Sequence, residues 1–215
     1  MTIKFTDAAK HYKELPHQVD AWNFLQASVH KEILDEFARR FRNEKQVIDS
    51  SNIPKQALEL IKEFEGFSPR AYYDPATGSL PITIAYGSTR KLDGTPFYIG
   101  ETITKEEGEK LLIYQLNKEF LPSLQKIPYW NEMNDEMKSA IISFAYNLGA
   151  NFYASSGFST ITRNLREKDW KAIPKTLELY RNPGSNVEAG LLRRRRAEGK
   201  LFQEGFKNLI LQSSF

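Results

Sequence analysis

The sequence predicts an α+β fold with two lobes, a small β-hairpin lobe and a larger, mainly helical lobe. Within residues 71–99, Ile82, Ile84 and Tyr86 alternate with small or polar residues, which is the period of a half-buried strand. From residue 104 onward, apolar residues recur every three or four positions, as on amphipathic helices. A hydrophobic content of 40% and a charged content of 27% are typical of a globular protein.

Residues 1–50 are predicted to form a helical N-terminal extension, and residues 51–215 the main domain. Apolar residues recur at helical spacing before and after Pro16, where a new helix is expected to start. The extension has two possible roles. It either docks on the main domain, with Tyr12 and Trp22 in a core, or forms a separate binding module that uses these aromatic residues.

The first helix of the main domain is predicted after Pro54, because polar cap-forming residues precede this proline. Gly66 marks its expected end. Turn-forming residues such as Asp74-Pro75 and Asp93-Gly94 bracket the predicted strand region and complete the hairpin lobe.

The helices after residue 100 are marked by caps and apolar faces. Thr104 and Glu107 have the spacing of a capping box, and the apolar run 133–148 predicts a buried central helix that ends at Gly149. Ser159 and Asp169 are the expected caps of two further helices. A basic helix is predicted from about Ala189 to Phe206 or beyond.

Composition excludes several kinds of chemistry. The chain has no cysteine, and its three histidines precede residue 51, so the main domain has no Cys-His or Ser-His base and no histidine zinc site. No metal or other cofactor is expected. The net charge of +3 is far from that of a dedicated nucleic-acid binder. No apolar run reaches membrane-spanning length, and the N-terminus lacks a secretory signal, which predicts synthesis in a cytoplasm.

Acid–base chemistry in the main domain therefore falls to carboxylates, and Glu65 and Asp74 form the candidate pair. Glu65 lies between Phe64 and Gly66-Phe67 at a helix end, and Asp74 follows nine residues later in a polar loop. Apolar surroundings favour the protonated form of a carboxyl group, whereas a polar loop keeps it ionised. A general acid and a general base need this difference.

Six segments, taken in order over residues 54–203, resemble the phage-type lysozyme (endolysin) family, glycoside hydrolase family 24. They are Ile61-Lys62-x-Phe64-Glu65-Gly66, Ala71-Tyr72-x-Asp74, Thr83-Ile84-Ala85-Tyr86-Gly87, Gly100-x-x-Ile103-Thr104, Ser143-Phe144-Ala145-Tyr146-Asn147-x-Gly149 and Gly190-Leu191-x-x-Arg194-Arg195-x-x-Glu198. The resemblance implies a two-lobed lysozyme-like fold and a muramidase that cleaves the β-1,4 bond between N-acetylmuramic acid and N-acetylglucosamine in peptidoglycan.

The resemblance also implies residue roles. Glu65 would be the general acid, Asp74 would hold or deprotonate the attacking water, and Thr83 would assist it. Tyr146 and Asn147 would contact the sugar, although Asn147 fits a structural cap equally well. The family looks inverting, so the two carboxyl groups are expected roughly 6.5–9.5 Å apart.

Three features depart from the family pattern or need a separate interpretation. Ala85 and Ser88 stand where the family commonly has glycine and histidine, and the loop before Thr83 looks lengthened. The run from Arg193 to Arg196 cannot form one patch on a helix, because successive residues point about 100° apart. The resemblance implies that one of these arginines pairs with Glu65.

Two other function classes are compatible with the sequence. One is a non-catalytic cell-wall-binding protein that kept the fold, and the other is membrane disruption by the basic C-terminal helix. For an endolysin, the family expectation is a monomer without stable membrane insertion. It would remain in the cytoplasm of the producing bacterial cell until a holin lesion releases it to the wall.

Overall fold

The structure of the chain, a computed structural model, describes residues 52–73 and 78–212. The predicted N-terminal extension, with Tyr12 and Trp22, lies outside the described residues. The same holds for Asp74 and residues 75–77 after it.

Seven α-helices lie within the described ranges, and the last of them is the longest. They are α1 (Lys55–Glu65), α2 (Lys105–Gln115), α3 (Leu121–Leu124), α4 (Asp135–Leu148), α5 (Ser159–Arg166), α6 (Ile173–Leu177) and α7 (Glu188–Gln212). A π-helical turn, Leu116–Phe120, joins α2 to α3, and a 3-10 turn, Trp130–Glu132, precedes α4.

The small lobe is built on two antiparallel strands, β1 (Ser68–Tyr73) and β2 (Ile82–Ala85). Tyr72 pairs with Thr83 across the sheet. Ile82 and Ile84 are buried while Thr83 is half-buried, which matches the predicted alternation. Together with the helices, this hairpin confirms the predicted two-lobed α+β fold.

Most predicted helix ends are confirmed, and two caps are wrong. Thr104 and Glu107 form the predicted capping box of α2, and Gly66 ends α1 with a φ of 70°. Ser159 is instead the first residue of α5. Asp169 does not cap a helix, because α6 begins only at Ile173 and runs for five residues.

Helix α4 is the centre of the core, as predicted from its apolar run. It packs against α1 and α7, and its residues from Ser139 to Ala145 are all buried. The Phe144 ring makes edge contacts with the rings of Phe152, Phe158 and Tyr180. This packing fixes α4 between the helices that supply the candidate acid and the arginines.

Within residues 52–73 and 78–212, no helix combines the length and apolar character needed to cross a membrane.

The two lobes meet in a close approach between Gly108 of α2 and Ala85 at the end of β2. A Cβ at position 108 would lie 2.9 Å from the Ala85 Cβ and 3.1 Å from Phe67 Cε2. Ala85 itself adopts a φ of 56°, a conformation that favours glycine. The alanine that departs from the family pattern is thus tolerated because α2 has a glycine opposite it.

We predict that Gly108→Ala lowers the free energy of unfolding by about 1–2 kcal/mol, because overpacking outweighs the gain in helix propensity. In an Ala85→Gly background the same substitution should cost less, since the opposing methyl group is gone. Urea denaturation of the wild type, both single variants and the double variant measures the coupling. Additive effects of the two substitutions would contradict the proposed contact.

Candidate active site

A cleft of about 270 Å³ lies where the small lobe meets the helices. Its lining combines polar side chains with two aromatic rings and comes from α1, the segment after β2, α2, the π-helical turn and α4. The lining residues are Glu65, Gly87, Thr89, Gln115, Glu119, Phe120, Tyr146 and Asn147. Three of the sequence-predicted site residues, Glu65, Tyr146 and Asn147, are therefore brought together.

Glu65 is the last residue of α1, and Gly66 turns the chain away directly after it. The Glu65 side chain is 25% exposed, and its Oε1 accepts a hydrogen bond from Arg194 Nη1 at 2.5 Å. The predicted apolar surroundings of Glu65 are therefore wrong. The adjacent Phe64 ring lies instead against the guanidinium groups of Arg193 and Arg194, at 5.3 and 5.7 Å from its centroid.

The Arg194 guanidinium is fixed from the other side by buried acceptors. Its Nε donates to Glu198 Oε1 at 3.2 Å, and its Nη2 donates to the Ser143 backbone oxygen at 3.1 Å. Glu198 is fully buried and also accepts a hydrogen bond from the Ser143 hydroxyl at 2.8 Å. These bonds leave Nη1 of Arg194 directed at Glu65.

The four consecutive arginines of α7 point in different directions, as predicted from helix geometry. Arg194 and Arg195 are buried, whereas Arg193 and Arg196 are exposed. Arg195 Nη2 donates to Asn147 Oδ1 at 3.0 Å and to Glu198 Oε1 at 3.2 Å. Burial lowers the pKa of Arg195 to about 10, although the neighbouring Glu198 opposes this effect. It therefore remains a cation at neutral pH.

Tyr146 and Asn147 lie in the last turn of α4, and both already have intramolecular partners. The Tyr146 hydroxyl donates to the Tyr86 backbone oxygen at 2.8 Å, and its ring lies 5.3 Å from that of Phe120. Burial, followed by the charge of Glu65, raises the pKa of the Tyr146 hydroxyl well above its usual range. Tyr146 consequently stays protonated as a donor.

One further predicted site residue, Thr83, is not brought to this cleft. Thr83 lies on β2 opposite Tyr72, and it is not among the residues that line the cleft. Asp74 lies outside the described residues, so its distance from Glu65 stays a prediction. In ranges 52–73 and 78–212, no group of histidine, cysteine, aspartate and glutamate residues could hold a metal ion.

Sequence reasoning missed Thr89, Gln115, Glu119 and Phe120 as lining residues. Glu119 and Phe120 belong to the π-helical turn, which has no pattern in the sequence that distinguishes it from α-helix. No local pattern indicates Gln115 either, because only the fold brings it next to Ser88. The buried Ser88 hydroxyl donates to Gln115 Oε1 at 2.9 Å, so a neutral hydrogen bond holds the position where the family commonly has histidine.

Comparison with known proteins gives consistent matches. The sequence profile of the phage lysozyme family matches residues 62–198. The endolysin of Salmonella phage P22 is 32% identical over 152 residues, covering 70% of this chain and 97% of the relative. The endolysin of Bacillus phage B103 is 30% identical over 164 residues, and the match spans 76% of this chain but 59% of that protein.

A solved structure supports the same assignment. The crystal structure of a P22 lysozyme mutant is 29% identical and has a TM-score of 0.57, covering 70% of this chain and 97% of that one. The fold and the cleft define a lysozyme-like glycoside hydrolase. The chain belongs to the phage lysozyme family, and it is accordingly a muramidase that acts on peptidoglycan.

We predict that Arg194→Ala lowers the free energy of unfolding by about 3–5 kcal/mol, because it removes one of the two guanidinium partners of the buried Glu198 carboxylate. The neighbouring Arg196 provides a matched control. Its side chain is 65% exposed and lies 3.5 Å from Glu178, so Arg196→Ala should change stability by less than about 1 kcal/mol. Urea denaturation measures both, and equal effects would contradict the importance of the buried network.

Proposed function

We propose that the chain hydrolyses the β-1,4 bond between N-acetylmuramic acid and N-acetylglucosamine by inversion, with Glu65 as general acid. The observation that carries this proposal is the position of Glu65. It is a carboxylate that lines the cleft at a helix end and is oriented by a buried guanidinium group, Arg194. A catalytic acid needs a fixed direction towards the leaving oxygen as well as access to substrate.

The proposed reaction is a single displacement. Glu65 transfers its proton to the glycosidic oxygen as the bond from that oxygen to the anomeric carbon breaks. A water molecule attacks the same carbon from the opposite face, and Asp74 takes its proton, with Thr83 helping to orient the water. The half-buried position of Thr83 on the face opposite Ile82 and Ile84 is compatible with this role.

Tyr146 and Asn147 are the proposed sugar contacts, supported by their place in the lining of the cleft. Because the Tyr146 hydroxyl is engaged by Tyr86, its aromatic ring is the part available for packing against a sugar. Asn147 accepts from Arg195 through Oδ1, which leaves its amide nitrogen to donate to an N-acetyl oxygen. The two roles weighed for Asn147, structural and substrate-binding, are thus compatible.

The biological setting completes the proposal. The protein is proposed to act as a monomer, to stay in the cytoplasm of the producing bacterial cell, and to reach the wall after a holin lesion. The N-terminal residues 1–50 are proposed either to bind the wall or to dock on the catalytic domain.

The two alternative functions are less well supported by the structure. Membrane disruption requires a helix with a free apolar face. In α7, however, Arg194, Arg195 and Phe202 are buried, and the helix packs against α4 and α6. A non-catalytic wall-binding role does not require a cleft carboxylate held by a buried arginine.

We expect Glu65→Gln to lower the rate of wall hydrolysis by about 100- to 10,000-fold, which is the contribution of a positioned general acid. The measurement is clearing of a purified peptidoglycan suspension at matched protein concentration. Glu63→Gln is the control, since Glu63 is an exposed carboxylate of the same helix, and it should retain wild-type activity. Clearing by Glu65→Gln at the wild-type rate would refute the assignment and favour a non-enzymatic mode of action.

The inverting assignment predicts the configuration of the first product. Hydrolysis of a β bond by single displacement releases the α-anomer, whereas double displacement releases the β-anomer. Proton NMR of a soluble peptidoglycan fragment, recorded before the anomers equilibrate, distinguishes them. An initial β-anomer would exclude the role proposed for Asp74 and imply carboxyl groups only about 5–5.5 Å apart.

A further inference from the structure

Glu198 is a buried carboxylate that the proposed hydrolysis does not use directly. Its side chain has no exposed surface, and it lies on α7 one turn after Arg194. Its Oε1 accepts hydrogen bonds from Ser143 and from both Arg194 and Arg195, and its Oε2 lies 2.9 Å from Arg195 Nε. A charge buried to this extent is costly, which calls for an explanation of what it contributes.

The two arginines that Glu198 binds each contact a different side chain of the cleft. Arg194 donates to Glu65 through Nη1, and Arg195 donates to Asn147 through Nη2. Glu198 therefore fixes the direction of both guanidinium groups. One buried side chain orients the proposed acid and a proposed sugar contact together.

The balance of charges in this cluster matters for the proposed role of Glu65. A guanidinium group at hydrogen-bond distance favours the ionised form of a carboxyl group, whereas a general acid must hold its proton before the reaction. Arg194 and Arg195 carry two positive charges, and Glu198 carries the buried negative charge between them. Without Glu198, Glu65 would be the remaining acidic partner among the described contacts of Arg194.

We propose that Glu198 is a positioning and charge-balancing residue, which fixes the direction in which Arg194 holds Glu65 and offsets the positive charge next to this proposed acid. This inference rests on the proposed function of Glu65. The groups that face Glu198 are Arg194 and Arg195 on its own helix and Ser143 on α4, and Glu65 on α1 is reached through Arg194.

The protonation state of the Glu198 carboxyl group depends on competing effects. Burial raises the pKa of its carboxyl group, while the two guanidinium groups and the Ser143 hydroxyl oppose that rise. Three donors converge on one oxygen, an arrangement that stabilises a carboxylate rather than a neutral acid. A glutamine at this position therefore tests the charge with little change in side-chain shape.

The test is the pH dependence of kcat/KM for Glu198→Gln, measured on a soluble peptidoglycan fragment. Glutamine keeps one oxygen that can accept the hydrogen bonds made to Oε1, but it removes the negative charge and the second acceptor oxygen, which lies 2.9 Å from Arg195 Nε. The basic limb of the profile reports the acid of the free enzyme, and it should move to lower pH. Above the wild-type limb, kcat/KM should fall by about tenfold, and activity should return as the pH is lowered.

Arg195→Gln is a second variant, for which the opposite shift is expected. It removes a positive charge, so the basic limb should move to higher pH. Leu165→Ala is the matched control for stability, since Leu165 is fully buried on α5, a helix that contributes no residue to the cleft. It should lower the thermal midpoint without moving the limb. If Glu198 had a purely structural role, all three variants would lower the thermal midpoint and none would move the basic limb of the pH profile.

Two outcomes overturn the inference. One is a pH profile of Glu198→Gln in which the basic limb coincides with that of the wild type or lies at higher pH. The other is a pH profile of Arg195→Gln in which the basic limb does not move to higher pH. This second outcome applies even if Glu198→Gln does not fold. Glu65→Gln separates these results from failure of the proposed function. If that variant stays active, the limb reports a different acid and the proposed function itself is wrong.

Discussion

The buried ion network around Glu198 is the constraint on which the cleft depends. It joins α7 to α4 through Ser143 and to α1 through Arg194 and Glu65. Buried charges are tolerated when each has well-placed partners, so these helices can pack together in few arrangements. The same packing that brings three donors to Glu198 Oε1 places a guanidinium group next to the candidate acid. Stability and site geometry are therefore coupled in one set of contacts.

A second link joins the cleft to the small lobe. The Tyr146 hydroxyl donates to the Tyr86 backbone oxygen, and because the pKa of this phenol is raised, it stays a donor even at alkaline pH. The contact lies in the last turn of α4, next to Asn147. The central helix therefore contacts the small lobe at one residue and the arginine network at the next.

The departures from the family pattern are explained by local contacts. Ser88 and Gln115 form a neutral hydrogen bond, so a buried polar position is satisfied without an imidazole group. Ala85 adopts a positive φ, and Gly108 leaves room for its methyl group. Each replaced residue has a partner on α2, which is Gln115 for Ser88 and Gly108 for Ala85. A single sequence shows each departure but not its compensating partner.

The sequence by itself determined the fold class, the capping box at Thr104 and the central helix α4, because these follow from local periodicity and cap chemistry. The order of the motifs also selected Glu65 as the candidate acid. The tertiary structure alone decided which arginine pairs with Glu65, because four successive residues on a helix differ only in the neighbour that each one faces. It likewise showed that Glu65 is ion-paired rather than surrounded by apolar groups. Its partner is 129 positions away in the sequence, beyond the reach of any local pattern.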